Sequence, residues 1–257
     1  MSTFKQLRVL FLLLVLLLVA VSAWLTKLRT TSWEKPLVVA LYPLNGDGSA
    51  RAADYIASLT IDDFRDIETF FREEAAHYRL GIAQPFELVL GPTLDELPPV
   101  PPREHNPLAV MWWSLKMRYW SHAVAKDYGP PAHIQIFVLY HDPGESSRLA
   151  HSLGLQKGLV GVVHAFAEQR QAGGNKMVIA HELLHTVGAS DKYDPQTDAP
   201  LYPAGYADPQ QQPLLPQSLA EIMAGRIPLS ENLFRQAEGL NEVVIGEYTA
   251  REIRWLK

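Results

Sequence analysis

Residues 177–191 read Met-Val-Ile-Ala-His-Glu-Leu-Leu-His-Thr-Val-Gly-Ala-Ser-Asp, and no other stretch constrains the fold as much. In a helix, positions i and i+4 share a face, so His181 and His185 present two imidazoles to one ion. Met177 to Ala180 are apolar and helix-compatible. Leu183, Leu184 and Val187 continue that burial and leave the histidines facing a cleft. Gly188 can adopt a left-handed conformation and end the helix sharply. The chain can then turn back and bring Asp191 to the same ion. Two imidazoles and one carboxylate leave a fourth position for water, the arrangement of a catalytic zinc site rather than a structural one. Glu182 stands beside them, placed to accept a proton from that water. The bland alternative is two core histidines, each satisfied by a hydrogen bond. The interposed glutamate and the downstream glycine and aspartate weigh against it.

His181 to Asp191 resembles the metzincin signature H-E-x-x-H-x-x-G-x-x-H, with aspartate in place of the third histidine. That is the pattern of snapalysin-like small secreted neutral proteases and of immune-inhibitor-A-like proteases. Those tend to carry a tyrosine two residues on, where this chain has Tyr193. The resemblance implies a zinc metallopeptidase in which His181, His185 and Asp191 hold Zn2+ and Glu182 is the general base. It covers one further element, Glu221-Ile222-Met223-Ala224-Gly225. Metzincins have a tight turn there, with a methionine beneath the histidines, and Met223 follows Asp191 by 32 positions. Met223 would be a soft apolar floor and not a ligand; a core methionine near a helix end is the alternative. Some metzincins place a zinc-reaching tyrosine two residues after this methionine, but here that position is Gly225. Whether Tyr193 helps to stabilise an oxyanion stays open.

The resemblance implies an α+β fold: a twisted mixed sheet with helices, the zinc helix at the cleft floor, and an irregular C-terminal subdomain. An edge strand would take substrate as an extended peptide, with residues 159–167 or 134–140 as candidates. A rival third ligand is a glutamate from a later helix, as in the gluzincins; Glu221 and Glu231 are the candidates. The shorter spacing through Gly188 favours Asp191. Asp194 and Asp198 read as turn residues in a proline-rich loop, with a calcium site as the alternative. The remaining histidines are scattered. His164 stands out among them because its strand directly precedes the helix and can line the cleft.

The N-terminus speaks about compartment. Lys5 and Arg8 precede Val9 to Leu25, a run of 17 residues broken only by Ser22, and Lys27 and Arg29 follow. Two readings compete. Val21-Ser22-Ala23 offers a signal-peptide cleavage site after Ala23. Alternatively, the run anchors the chain in a membrane, with Trp24 and Trp33 at the interface. The leucine-dense run favours the anchor. Either way residues 1–29 are a targeting segment and 30–257 a peptidase domain outside the cytoplasm, membrane-anchored or, if cleaved, secreted or periplasmic.

Along the rest of the chain, 30–36 reads as a linker and 37–42 as a strand. Residues 50–80 read as helix broken near Thr60 and stopped by Gly81, and 86–90 as a second strand. A loop with Pro98, Pro99, Pro101 and Pro102 follows. Pro107 to Lys126 is a helix whose Trp112, Trp113, Tyr119 and Trp120 suit core packing. Gly173-Gly174-Asn175 leads into the histidine helix. Asp194 to Pro216 holds six prolines and no regular pattern, as functional or disordered loops do. Thr249 to Leu256 reads as a short helix. No cysteine is present, which excludes disulfides, cysteine zinc sites and a thiol nucleophile. A net charge of −5 gives no footprint for nucleic acid. Neither G-x-S-x-G nor a phosphate-binding glycine loop occurs. The expected function is zinc-dependent hydrolysis of peptide or protein substrates. The alternative is a membrane-tethered, non-enzymatic domain that binds zinc or a partner, with the proline-rich loops as its surface.

Overall fold

The computed structural model describes residues 3–102, 106–145, 149–156 and 159–256; inside helices, the side chains of 3, 4, 20, 22–29 and 128 are also outside the description. The side chains of Ala23, at the proposed cleavage site, and of Trp24 lie outside the description, as does His105.

The fold is α+β. Helix α1 (Thr3–Thr31) precedes β1 (Leu37–Asn45), α2 (Ala50–Ser58), α3 (Arg65–His77), β2 (Phe86–Leu90), α4 (Pro107–Tyr128) and β3 (Ile134–His141). A short strand β4 (Leu153–Leu155), β5 (Val160–Phe166) and α5 (Ala172–Val187) follow. The C-terminal part holds β6 (Ala220–Glu221), β7 (Arg226–Ser230), β8 (Leu233–Gln236), β9 (Val243–Val244) and α6 (Glu247–Glu252). The main sheet runs β2-β1-β3-β5-β4. Its first four strands are parallel, and β4 is antiparallel to β5.

Strand side chains alternate between the two faces, and the core divides accordingly. Val39, Leu41, Ile136, Val138, Val163 and Ala165 pack with α2, α3, α5 and the C-terminal part. Ala40, Tyr42, Leu44, Phe137, Leu139, Val160 and Val162 pack with Trp113, Met117, Trp120 and Val124 of α4. Both sheet faces are thus covered, which explains the nearly continuous apolar runs of β1 and β3.

Several expectations need correction. β3 and β5 each have a neighbour on both sides, so neither is an edge; the edges are β2 and β4. The "linker" 30–36 is not a free connector. Thr30 and Thr31 are buried, and Trp33 packs edge-on against Phe86 and Trp255. Its Nε1 donates to the Ile253 carbonyl at 2.7 Å, so Trp33 belongs to the core and not to a membrane interface. Among the described α4 aromatics, Trp113 and Trp120 are buried, whereas Trp112 and Tyr119 face outward. Helix α3 ends at His77, before Gly81, because Arg79 takes a left-handed φ of 53°. The break near Thr60 is present: its backbone N–H donates to Asp63 Oδ2 at 2.8 Å at the start of a 3-10 turn. The glycines Gly173 and Gly174 lie inside the first turn of α5, and a Cβ on Gly173 would meet the Glu238 carbonyl oxygen at 2.7 Å. The last helix begins at Glu247 and ends at Glu252, before Arg254 takes a left-handed φ of 62°. Among the described residues no helix is long and apolar enough to cross a membrane.

Candidate metal centre

Helix α5 carries His181, Glu182 and His185 across the middle of the main core and ends where the sequence predicts. Gly188 has φ +114°, and its N–H reaches the Leu184 and His185 carbonyls, both at 3.1 Å. A Cβ there would also strike the Gln156 amide at 2.6 Å. The reversal that follows brings Asp191 back to the histidines. Asp191 Oδ1 lies 3.2 Å from His181 Nε2 and 3.1 Å from His185 Nε2, and the two Nε2 atoms are 3.1 Å apart. These three atoms form a nearly equilateral triangle. A tetrahedral zinc with bonds of about 2.0–2.2 Å sets its ligands roughly 3.3–3.6 Å apart, so the triangle is slightly tighter than one face of such a site.

The other ring nitrogens decide what this triangle is. His181 Nδ1 lies 3.0 Å from the Ile222 carbonyl oxygen and His185 Nδ1 lies 2.9 Å from that of Ala189. A carbonyl only accepts, so each Nδ1 carries the proton, and in neutral imidazoles both Nε2 lone pairs point at the carboxylate. Three acceptors then converge with no hydrogen between them. Either a proton or a cation must enter. Burial alone would lower the His181 pKa; the hydrogen bond to Asp191 and the charges of Glu182 and Asp191 outweigh it, and the net direction is up. Burial opposes ionisation of Asp191, but both histidines hold it well below the usual carboxylate range. A divalent cation satisfies all three groups without that proton, so the donor set fits zinc.

Glu182 is buried, and its Oε2 has no hydrogen-bond partner. Burial pushes its pKa up, the two histidines pull it down, and Asp191 adds to the rise; the net direction is up. Ligand-capable atoms of His181, Glu182 and His185 lie within 4.8 Å of one another. Asp191 Oδ1 is nonetheless the oxygen in direct contact with both Nε2 atoms, so Asp191 completes the triangle and Glu182 stands beside it.

The Asp191 turn is braced on both flanks. Ser190 N and Oγ donate to the two Glu252 carboxylate oxygens at 2.9 and 2.7 Å, and Lys192 Nζ reaches Glu252 at 2.7 Å. Lys192 N donates to the Met223 carbonyl at 3.0 Å. That carbonyl belongs to a tight turn in which Ala224 and Gly225 N–H both return to the Glu221 carbonyl at 2.9 Å, with Gly225 at φ +67°. Met223 is fully buried in the core shared with α5. The 221–225 turn therefore holds His181 through Ile222 and the Asp191 loop through Met223.

Glu221 is no ligand. Its carboxylate accepts from Met223 N, Gly246 N and Thr249 Oγ1 at 2.6, 3.2 and 2.6 Å, and burial pushes its pKa up to about 7 despite those bonds. Glu231 is exposed, between β7 and β8. Asp194 Oδ1 accepts the Gln196 and Thr197 N–H groups at 2.8 and 3.0 Å, and Asp198 pairs with Arg226 at 2.8 Å, so both are spent on loop structure.

A cleft of about 430 Å³ runs past the centre, lined by His151, Ser152, His164, Phe166, His181, Glu182, Tyr193, Gly225 and Arg226, among others. His164 does line it, with Nδ1 3.0 Å from His141 Nε2. Burial raises the Tyr193 pKa, and Asp191 and Glu182 raise it further, so its hydroxyl keeps its proton. A larger cavity, about 610 Å³ beside Tyr78 and Tyr202, shares no lining residue with this cleft.

Sequence reasoning missed Gly154, Gly161 and Glu252. Gly154 and Gly161 are paired directly across β4 and β5. A Cβ on Gly154 would lie 2.5 Å from the Glu182 carbonyl oxygen and 2.6 Å from His185 Cβ. Glycine within a strand signals such close approach, and Leu153-Gly154-Leu155 carries that signal. Glu252 left no comparable mark. Among known proteins, no family model matches the chain, and no curated protein matches it significantly.

Proposed function

We propose that this protein is a membrane-anchored, zinc-dependent metalloendopeptidase of the metzincin type. The observation that carries the reading is the convergence of His181 Nε2, His185 Nε2 and Asp191 Oδ1 beside the unpartnered, buried Glu182 Oε2. Bound zinc would supply Lewis acidity, polarising a scissile carbonyl and making a water acidic enough to attack it. Glu182, beside the three groups that would hold the ion, would be placed to take a proton from an attacking water and return it to the leaving amine. Its burial, which raises its pKa, suits a group that must both accept and return a proton. Tyr193, protonated on the cleft wall, is available as a donor to developing negative charge. The antiparallel strand β4, an edge of the sheet among the described residues, lies against Glu182 through Gly154 and is the candidate to pair with an extended peptide. The apolar run of α1, with Leu10 to Leu18 exposed on every side, supports the anchor.

A non-enzymatic zinc domain gains nothing from a buried carboxylate oxygen without a partner, which costs stability. Glu182→Gln separates the two readings. It is expected to keep about one zinc per chain and an unchanged circular dichroism spectrum. Hydrolysis of a casein or fluorogenic peptide mixture should fall by about 10²–10⁴-fold. Full activity in that variant, or zinc-free wild-type protein that is well folded, sinks the proposal.

A further inference from the structure

Helix α4 has two apolar stripes. Trp113, Met117, Trp120 and Val124 are buried against the sheet. Leu108, Met111, Trp112, Leu115 and Tyr119 follow the same helical spacing on another face, and that face is exposed: 64 % for Trp112 and 78 % for Tyr119. Trp113 Nε1 donates to the Pro99 carbonyl at 2.8 Å, which pins the proline-rich loop beside the helix. Val100, next in that loop, is 83 % exposed. A helix that only covers a sheet needs one apolar stripe, and an exposed contiguous patch of this kind marks a contact surface.

Charge and composition say what contacts it. Lys116, Arg118 and Lys126 are exposed on α4 against a single exposed acid, Asp127, although the whole chain carries −5. A helix with leucine, tryptophan and tyrosine on one face and lysine and arginine around it fits the boundary of an anionic bilayer. The proposed anchor α1 puts such a bilayer within reach of the same chain. Helix α5 lies on the other face of the sheet, so a surface seated on α4 does not cover His181, Glu182 or His185.

We propose that the outer face of α4 docks on an anionic lipid surface and that the peptidase therefore works lying against the membrane. This rests on the membrane-anchored part of the proposed function and narrows its substrates to chains held close to a bilayer.

The absence of cysteine allows a nitroxide at one chosen site in the full chain: Leu14→Cys in α1, Leu115→Cys on α4, or Arg72→Cys on the exposed side of α3. The chain is reconstituted in vesicles of phosphatidylethanolamine with phosphatidylglycerol, and collision with oxygen is compared with collision with a water-soluble nickel complex. The expected result is oxygen-dominated collision at positions 14 and 115 and nickel-dominated collision at 72. Lys116→Glu combined with Lys126→Glu should return position 115 toward water. Water at 115 with lipid at 14 overturns the docking and leaves the anchor. Water at both overturns docking and anchor together. Dipolar broadening between labels at 115 would mean a second copy covers the face, and also overturns it. None of these readouts depends on zinc or hydrolysis, so the docking and the peptidase reading fail separately.

Discussion

The molecule holds two pairs of facing imidazoles at nearly the same separation, and they are built for different ends. His141 Nε2 and His164 Nδ1 are 3.0 Å apart, with rings stacked at 27°. His181 Nε2 and His185 Nε2 are 3.1 Å apart, with rings at 82°. In the first pair one shared proton satisfies both nitrogens. Burial lowers both pKa values, and His141 then helps to take His164 down to about 4. In the second pair each Nδ1 is committed to a carbonyl, so neither Nε2 has a proton to share, and Asp191 adds a third acceptor. Residue type and spacing do not separate these outcomes. The partner of the remote ring nitrogen does.

The largest contrast should appear in zinc affinity. Asp191→Ala removes a proposed direct ligand, so chelator competition should show a loss beyond the roughly 10–100-fold typical of changes behind the ligands. His164→Gln should leave the affinity unchanged. Equal losses in the two variants would erase the distinction.

Each pair also sits against a glycine, and the two should differ in cost. A Cβ at Gly154 meets the backbone oxygen of Glu182, whereas one at Gly46 meets the ring of His141 at 2.6 Å. A ring at the end of a side chain can swing; helix backbone cannot. Gly154→Ala should cost about 1–3 kcal/mol in denaturant unfolding and reduce turnover. Gly46→Ala should cost less and leave turnover intact. The reverse order would mean that β4 yields more easily than β3.

The smallest effect is a pH slope. Below the ordinary histidine pKa of 6.5, the folded His141–His164 pair binds fewer protons than the unfolded chain. Stability should therefore fall as pH drops from about 6.5 toward 4. His164→Gln should flatten that part of the profile, and proton NMR should show His164 neutral until about pH 4. A His164 that titrates near 6.5 would contradict the buried pair.

These contrasts show what a sequence can and cannot carry. His181, His185 and Gly188 were legible because helix spacing and a left-handed cap are local rules. Asp191 was legible because three residues suffice to turn back. The carbonyls of Ile222 and Ala189, which fix both tautomers, belong to the backbone and leave no residue signature. Continuous apolar runs reported that β3 and β5 are buried but not which strands flank them, so the edge was misassigned. The true edge, β4, is three residues long with glycine at its centre, too short for any periodicity to register. The β7–β8 hairpin was hidden by Pro228 and by the exposed side chains of β8. Trp33 was legible as aromatic; its depth came from contacts with residues more than fifty positions away.

That tryptophan has a mechanical consequence. By gripping the Ile253 carbonyl and wedging against Trp255, it closes a loop between positions 220 residues apart. Tension along α1 would be borne first at this clasp rather than by peeling β1 from the sheet. Ile253 and Trp255 are thereby held beside the residues that follow α1, on the same side as any tether.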